Sequence, residues 1–189
     1  MYKSSSNFVL DYEIEKEAAK GARFLPIVGP HKGKFDYLVA RAIGAKKVLD
    51  LGTLVGYSAL TFSRAVGSGG KVVTVERDPE LAAEARRNFK KAGAKNITLI
   101  EGDARNVLKK LVAGKQRFDL VLLDIEKDEY KGVFDDCIRL LRKNGVVLTD
   151  NALWGTKELR EFRRFLQGYE KAESTIVPIS DGIAMSVKR

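Results

Sequence analysis

Five short apolar runs, each closing on an acidic residue or a glycine-rich turn, recur through the middle of the chain: residues 47–51, 71–76, 97–101, 118–124 and 146–150. Runs this short and this uniformly apolar fit strands buried on both faces. The stretches between them follow another period. Leu81, Ala85, Phe89 and Ala92 recur at spacings of three and four, as do Phe134, Ile138 and Leu141, and Leu159, Phe162 and Leu166. That period predicts helices with one apolar face. Asp78 and Pro79 suit the cap and first turn of one of them. Strands alternating with helices imply an α/β fold, a parallel sheet covered on both faces. Near the end, residues 174–179 and 183–188 flank Ser180-Asp181-Gly182, a link short enough for a hairpin, so the last strand should run antiparallel to its neighbour. Two helices, 12–22 and 33–43, should precede the first strand.

Composition removes several classes of chemistry. Cys137 is the sole cysteine and His31 the sole histidine of 189 residues. Together they exclude an internal disulfide, a zinc site needing two cysteines and any multi-histidine metal site. Cys137 sits on the apolar side of its predicted helix and reads as core. His31, within Gly29-Pro30-His31-Lys32-Gly33, reads as a loop residue. The early run Phe8-Val9-Leu10 is too short for a secretory signal, and no run is long enough to span a membrane, so a soluble, cytoplasmic protein of one domain, 1–189, is expected. Lys and Arg number 34 against 25 Asp and Glu, a net charge of +9 that suits an anionic partner or a solvated basic surface.

In open parallel sheets, ligands bind beyond the carboxyl ends of the strands. After the first strand comes Gly52-Thr53-Leu54-Val55-Gly56-Tyr57-Ser58, a tight turn opening a helix whose first amides favour a carboxylate. Glu76 closes the second strand, where an acid holds a ribose hydroxyl pair; Asp78 takes the capping role and leaves Glu76 free. Asp103, after the third strand, either caps a helix or accepts from an adenine amino group. Three loops in that order describe S-adenosylmethionine. The fourth strand ends at Asp124 with Lys127 beyond it, and the fifth at Asp150-Asn151. If these strands are neighbours, two carboxylates and an amide oxygen meet at one edge, a hard donor set that suits Mg²⁺.

These residues resemble the cation-dependent class I O-methyltransferases that include catechol and caffeoyl-CoA O-methyltransferases. The resemblance covers roughly residues 22–189. It rests on residues 48–53 with Gly56-Tyr57-Ser58, on Phe118-Asp119-Leu120-Val121 leading to Asp124, Lys127 and Tyr130, and on Asp150-Asn151 with Leu153-Trp154-Gly155. Asp181-Gly182-Ile183-Ala184 is similar to the family's C-terminal hairpin. The resemblance implies a Rossmann-like, mostly parallel seven-stranded sheet, with residues 1–45 as leading helices and a lid over cofactor and substrate. It implies that Gly52, Tyr57 and Ser58 bind the methionine end of S-adenosylmethionine, with Thr53 and Asp124 also in the cofactor site. Glu76 would bind the ribose, Asp103 and Ala104 would lie by the adenine, and Val28 with Gly29 would close over the cofactor. Asp124, Asp150 and Asn151 would bind Mg²⁺ or another divalent cation, and Lys127 would be the catalytic base. Ile125 and Glu126 depart from the family's commoner small residue and aspartate, and the stretch after Trp154 is short.

The expected activity is methyl transfer to a hydroxyl of a catechol-like small molecule. Relatives of this kind also methylate hydroxylated uridine in tRNA. Arg86, Arg87, Lys90 and Lys91 on one predicted helix suit phosphate contacts. A remoter alternative is a nucleotide-binding protein without catalysis, against which the set Asp124, Lys127, Asp150 and Asn151 argues. The family also suggests a homodimer. Trp154 is either an aromatic wall for a flat substrate or a packing residue.

Overall fold

The computed structural model describes residues 28–189. The leading helix expected at 12–22 lies outside them. The elements run α1 Gly29–Ala42, β1 Lys47–Leu51, α2 Tyr57–Val66, β2 Lys71–Glu76, α3 Pro79–Lys91, β3 Ile97–Glu101, α4 Ala104–Ala113, β4 Phe118–Leu123, α5 Tyr130–Leu140, β5 Leu141–Thr149, α6 Lys157–Gln167, β6 Ala172–Val177 and β7 Ile183–Lys188. They form one seven-stranded sheet in the order β3-β2-β1-β4-β5-β7-β6. Strands β1 to β5 are parallel, while β7 is antiparallel to both β5 and β6, as the hairpin reading requires.

Burial follows the two periods. β1 and β4 carry side chains hidden on both faces: Val48, Leu49, Leu51, Leu120, Val121 and Leu123 are fully enclosed. One face packs against α1, α2 and α3 through Val39, Phe62 and Phe89. The other packs against α4, α5 and α6 around Tyr130, Phe134 and Phe162, whose rings meet edge to face. Strand order reverses between β1 and β4, so the crevice for a ligand opens beyond Leu51 and Leu123.

Three elements differ from the sequence reading by two residues or more. β5 begins at Leu141, because Leu141 pairs with Phe118 before an irregularity, with Asn144 at φ +60°, takes up the residues before Val146. β6 spans 172–177 and stops before Pro178, which has no N–H to give a ladder. α1 starts at Gly29, with Pro30 in its first turn, so His31 is an exposed helical residue and not part of a loop. Gly33 lies inside this helix because a side chain there would run into the Tyr57 ring.

Candidate active site

The turn after β1 is drawn tightly against β2 and β4. The N–H groups of Gly52 and Thr53 both donate to the Val75 carbonyl, at 3.1 and 3.0 Å. Gly52 sits at φ +101°, its α-carbon facing the Asp124 carbonyl so closely that a β-carbon would overlap it. Leu54, also at positive φ, donates its N–H to Glu76 Oε2 at 2.8 Å, and Glu76 Oε1 accepts from the Asp78 N–H at 2.9 Å. Asp78 caps α3 as expected. Glu76, however, is not free: it clamps the glycine turn to the end of β2.

Beneath the turn, Asp50 is fully buried. Its Oδ2 accepts from Ser58 Oγ at 3.0 Å and Thr74 Oγ1 at 2.7 Å, while Oδ1 has no partner among the described residues. Burial raises its pKa from an ordinary 3.8 to about 7, against the pull of the two hydroxyls. The folded state holds this proton more tightly than the unfolded chain, so the stability it contributes is complete below about pH 4 and is lost as pH climbs to about 7. One such group sets a slope of at most about 1.4 kcal/mol per pH unit. Asp50→Asn should therefore lose less stability than the parent between about pH 4 and 7. Urea melts at several pH values would read this, and parallel curves would refute it.

Val28, Gly52, Thr53, Tyr57, Ser58 and Asp124, six residues singled out for the cofactor, line one cleft together with Leu54. Glu76 joins them through Leu54. Asp103 caps α4 by accepting from the Asn106 N–H at 3.2 Å, and its side chain pairs with Arg105 at 3.0 Å, which holds its pKa below the usual carboxylate range. Ala104 is buried at the start of that helix.

The edge beyond β4 and β5 carries the charge. The two strands are neighbours, which brings their acidic ends together. Lys127 Nζ donates to Asp124 Oδ1 at 2.7 Å and to the Tyr130 hydroxyl at 2.8 Å. It also faces the Trp154 ring at 5.9 Å. Trp154 is 44% exposed, so core packing does not account for it. Tyr130 keeps its proton far above the usual range, first through burial and then through the nearby carboxylate of Asp124.

Asp150 has a partner that sequence reasoning missed. Lys32 Nζ lies 2.6 and 2.8 Å from its two oxygens and 2.7 Å from Asp181 Oδ1. Asn151 donates through Nδ2 to Asp181 Oδ2 at 2.5 Å. The turn after β5 is tied to the hairpin by the Ala152 and Leu153 N–H groups, which donate to the Gly182 and Asp181 carbonyls and bring Asp181 alongside. Burial pulls the Lys32 pKa down, but Asp150 and Asp181 outweigh it and hold the ammonium above its ordinary value. Burial, then the Asp124 charge, lifts Asp150 to about 6. Asp36, one turn beyond Lys32 on α1, is raised well above the carboxylate range by burial and then by Asp150. The missed signal was periodic: residues 32, 36, 39 and 40 share one helix face. A lysine and an aspartate on a face otherwise holding Val39 and Ala40 mark a buried polar pair.

These contacts test the expected divalent site. Both oxygens of Asp150 face an ammonium, Asp124 faces Lys127, and Asn151 turns its nitrogen toward Asp181. Among the described residues, no three His, Cys, Asp or Glu side chains are grouped to hold a metal ion. Asp124 and Asp150 are engaged by the protein's own ammonium groups and Asn151 by Asp181, and the donor set so held does not fit a divalent ion as it stands. Glu126 pairs with Arg77 at the surface. The basic residues of α3 are exposed, with Arg86 paired to Glu101. Lys90 and Lys91 end a helix that starts at the carboxyl end of β2 and runs back, so they lie at the opposite end of the sheet from the cleft. No helix among the described residues is long and apolar enough to cross a membrane.

Comparison with known proteins fixes the lineage. The family model described as O-methyltransferase matches residues 2–189. The chain belongs to the O-methyltransferase family. A catechol O-methyltransferase of Niastella koreensis is 37% identical to this family member over 71% of the chain and 62% of its own length. One of Mycobacterium tuberculosis is 39% identical over 76% of the chain and 66% of its own. The O-methyltransferase chain thus spans less than two thirds of these two curated relatives. Among solved structures, the O-methyltransferase from Bacillus cereus in complex with SAH superposes with a TM-score of 0.83 at 26% identity, covering 96% of this chain and 90% of that one. Its match over nearly the whole chain agrees with the Rossmann-like, class I methyltransferase sheet described above.

Proposed function

We propose that the protein transfers the methyl group of S-adenosylmethionine to a hydroxyl of a small hydroxylated aromatic of the catechol type. The observation that carries this reading is Asp124, whose residue lines the cleft below Gly52 while its carboxylate holds Lys127. A lysine that can serve as a proton acceptor once it has given up a proton therefore stands beside the wall of the cofactor cleft. Family membership, the SAH named with the Bacillus cereus structure and the catechol named with two relatives support the same chemistry.

S-adenosylmethionine supplies a methyl group on a cationic sulfur, already a good leaving group. The chain's share is then positioning, exclusion of water and handling of one proton. The first amides of α2, at Tyr57 and Ser58, suit the cofactor's carboxylate, Glu76 its ribose, and Asp103 with Ala104 its adenine. Val28 closes the cleft from the side of α1. Trp154 offers an exposed face to a flat ring near Lys127. Lys127 first releases one proton to solvent; as the uncharged amine it then takes the hydroxyl proton while the oxygen–methyl bond forms and the sulfur–methyl bond breaks, and S-adenosylhomocysteine leaves. Tyr130 accepts from the ammonium and, keeping its own proton, can donate to the amine, so the side chain is held in both states. A divalent cation at Asp124, Asp150 and Asn151 does not fit their present partners.

Incubation with methyl-labelled S-adenosylmethionine and either a catechol or unmodified tRNA tests the acceptor. Label is expected in the catechol and not in the tRNA. Label in the tRNA alone would replace this reading with an RNA methyltransferase, and no binding of the cofactor would end it.

A further inference from the structure

The ion cluster at Asp150 is built from this chain's own charges. Lys32 comes from α1, more than a hundred residues away in sequence, and its ammonium meets both oxygens of Asp150 and one of Asp181. Three donors are thereby matched to three acceptor oxygens. The pair is secluded, with the side chains of Lys32 and Asp150 only 6% and 5% exposed, so water competes little for either charge. The second oxygen of Asp181 is taken by the Asn151 amide, which turns the amide's nitrogen to the cluster. A divalent ion seated on Asp150 would stand against this ammonium.

We propose that the Lys32 ammonium is the resident cation of this acidic edge, neutralising Asp150 and Asp181 where a divalent ion would otherwise sit, so that methyl transfer runs without added metal. The activity half of this statement rests on the O-methyltransferase reading; the charge replacement does not. Lys32 acts as a positioning residue. It holds Asp150 and Asp181 together, leaves the edge with less uncompensated negative charge when an acceptor hydroxyl ionises, and fixes α1 over the cleft through the neighbouring Val28.

The test uses the full chain, stripped with EDTA, and two readouts. In the first, Mn²⁺ is titrated and followed by electron paramagnetic resonance. The parent is expected to bind none at this edge. Lys32→Ala, which vacates the ammonium's place between two carboxylates, is expected to gain one bound Mn²⁺, and Lys32→Ala with Asp150→Asn to lose it again. In the second, catechol methylation by the parent should be the same in EDTA and in Mg²⁺. Lys32→Ala should fall about 10²-fold in EDTA and recover with Mg²⁺. A parent that binds Mn²⁺ in a manner abolished by Asp150→Asn, or that needs Mg²⁺ for turnover, overturns the proposal. A Lys32→Ala protein that melts like the parent and gains no ion also overturns it. Should Lys32→Ala not fold, the parent's titration decides alone. Should no acceptor be methylated, the functional reading fails while the Mn²⁺ titration still judges the cation.

Discussion

Gly52→Ala is expected to cost about 3 kcal/mol or more of folding stability, a large part of what an ordinary domain possesses. Two demands meet at this residue. Its φ of +101° is one that side-chain-bearing residues rarely adopt, and its missing β-carbon is what lets the Asp124 carbonyl come so near. Neither neighbour can give way. The Gly52 N–H is bound to Val75 and the Asp124 N–H to Leu51 at 3.0 Å, so relief would break the join between β1, β2 and β4. Gly67→Ala makes the control. Gly67 also has positive φ, +69°, yet a β-carbon there meets nothing within 4 Å. It should cost about 1 kcal/mol, from backbone strain alone. Guanidinium melts of the three proteins separate the terms, and equal losses at the two positions would show that the contact with Asp124 contributes nothing. Binding of S-adenosylhomocysteine should fall at Gly52→Ala and be retained at Gly67→Ala, because only the first displaces the cleft wall.

Lys127→Ala should lower turnover by about 10²- to 10⁴-fold, the usual contribution of a positioned proton acceptor, while cofactor binding stays near the parent's. Asp124 lines the cofactor cleft, but the ammonium meets only its Oδ1 and the Tyr130 hydroxyl, so the glycine turn that would carry the cofactor's methionine end keeps its own hydrogen bonds. Lys127→Arg sharpens the reading. A guanidinium can keep the ion pair with Asp124 but does not release its proton in proteins. If Lys127 accepts the hydroxyl proton, arginine should not rescue turnover; if it only neutralises Asp124, arginine should. Single-turnover rates with saturating S-adenosylmethionine, set beside calorimetric titration with S-adenosylhomocysteine, separate the two. Turnover within twofold of the parent in Lys127→Ala would remove the residue from the chemistry.

Most of the sheet was legible because strand burial on both faces writes itself as unbroken apolar runs. Residues 47–51, 71–76, 97–101 and 183–188 were read to the residue. The misjudged ends have local causes that composition hides. Residues 142–145 are polar and glycine-containing, which reads as a turn, yet Leu141 before them already pairs with Phe118. The cleft was legible for a similar reason: a parallel sheet delivers ligands to its carboxyl edge, so the residues following each strand could be read in order. Charge partnership was not legible. Asp124, Asp150 and Asn151 were grouped correctly as neighbours, but which cation meets them depends on a side chain from α1 and another from the hairpin turn. Linear spacing carries no trace of that. Only the helix face shared by residues 32, 36, 39 and 40 hinted at it, and that signal says buried without saying against what.

The contacts of Lys32 also bear on the order in which the molecule can be completed. They close separations of 118 and 149 residues, so α1, synthesised before the first strand, has no carboxylates to meet until β5 and then the final hairpin exist. Loops of that length form late and slowly compared with the helix–strand contacts around them. Until then Lys32 and Asp36 on the buried face of α1 have each other's charge nearby but lack the carboxylates of Asp150 and Asp181. The Lys32 contacts that hold the helix over the cleft therefore close only when the chain's far end is in place. Lys32 and Asp181 thus lock two distant stretches of the chain together, and a chain stopped short of Asp181 would lose both β7, which joins β6 to the sheet, and the latch on α1.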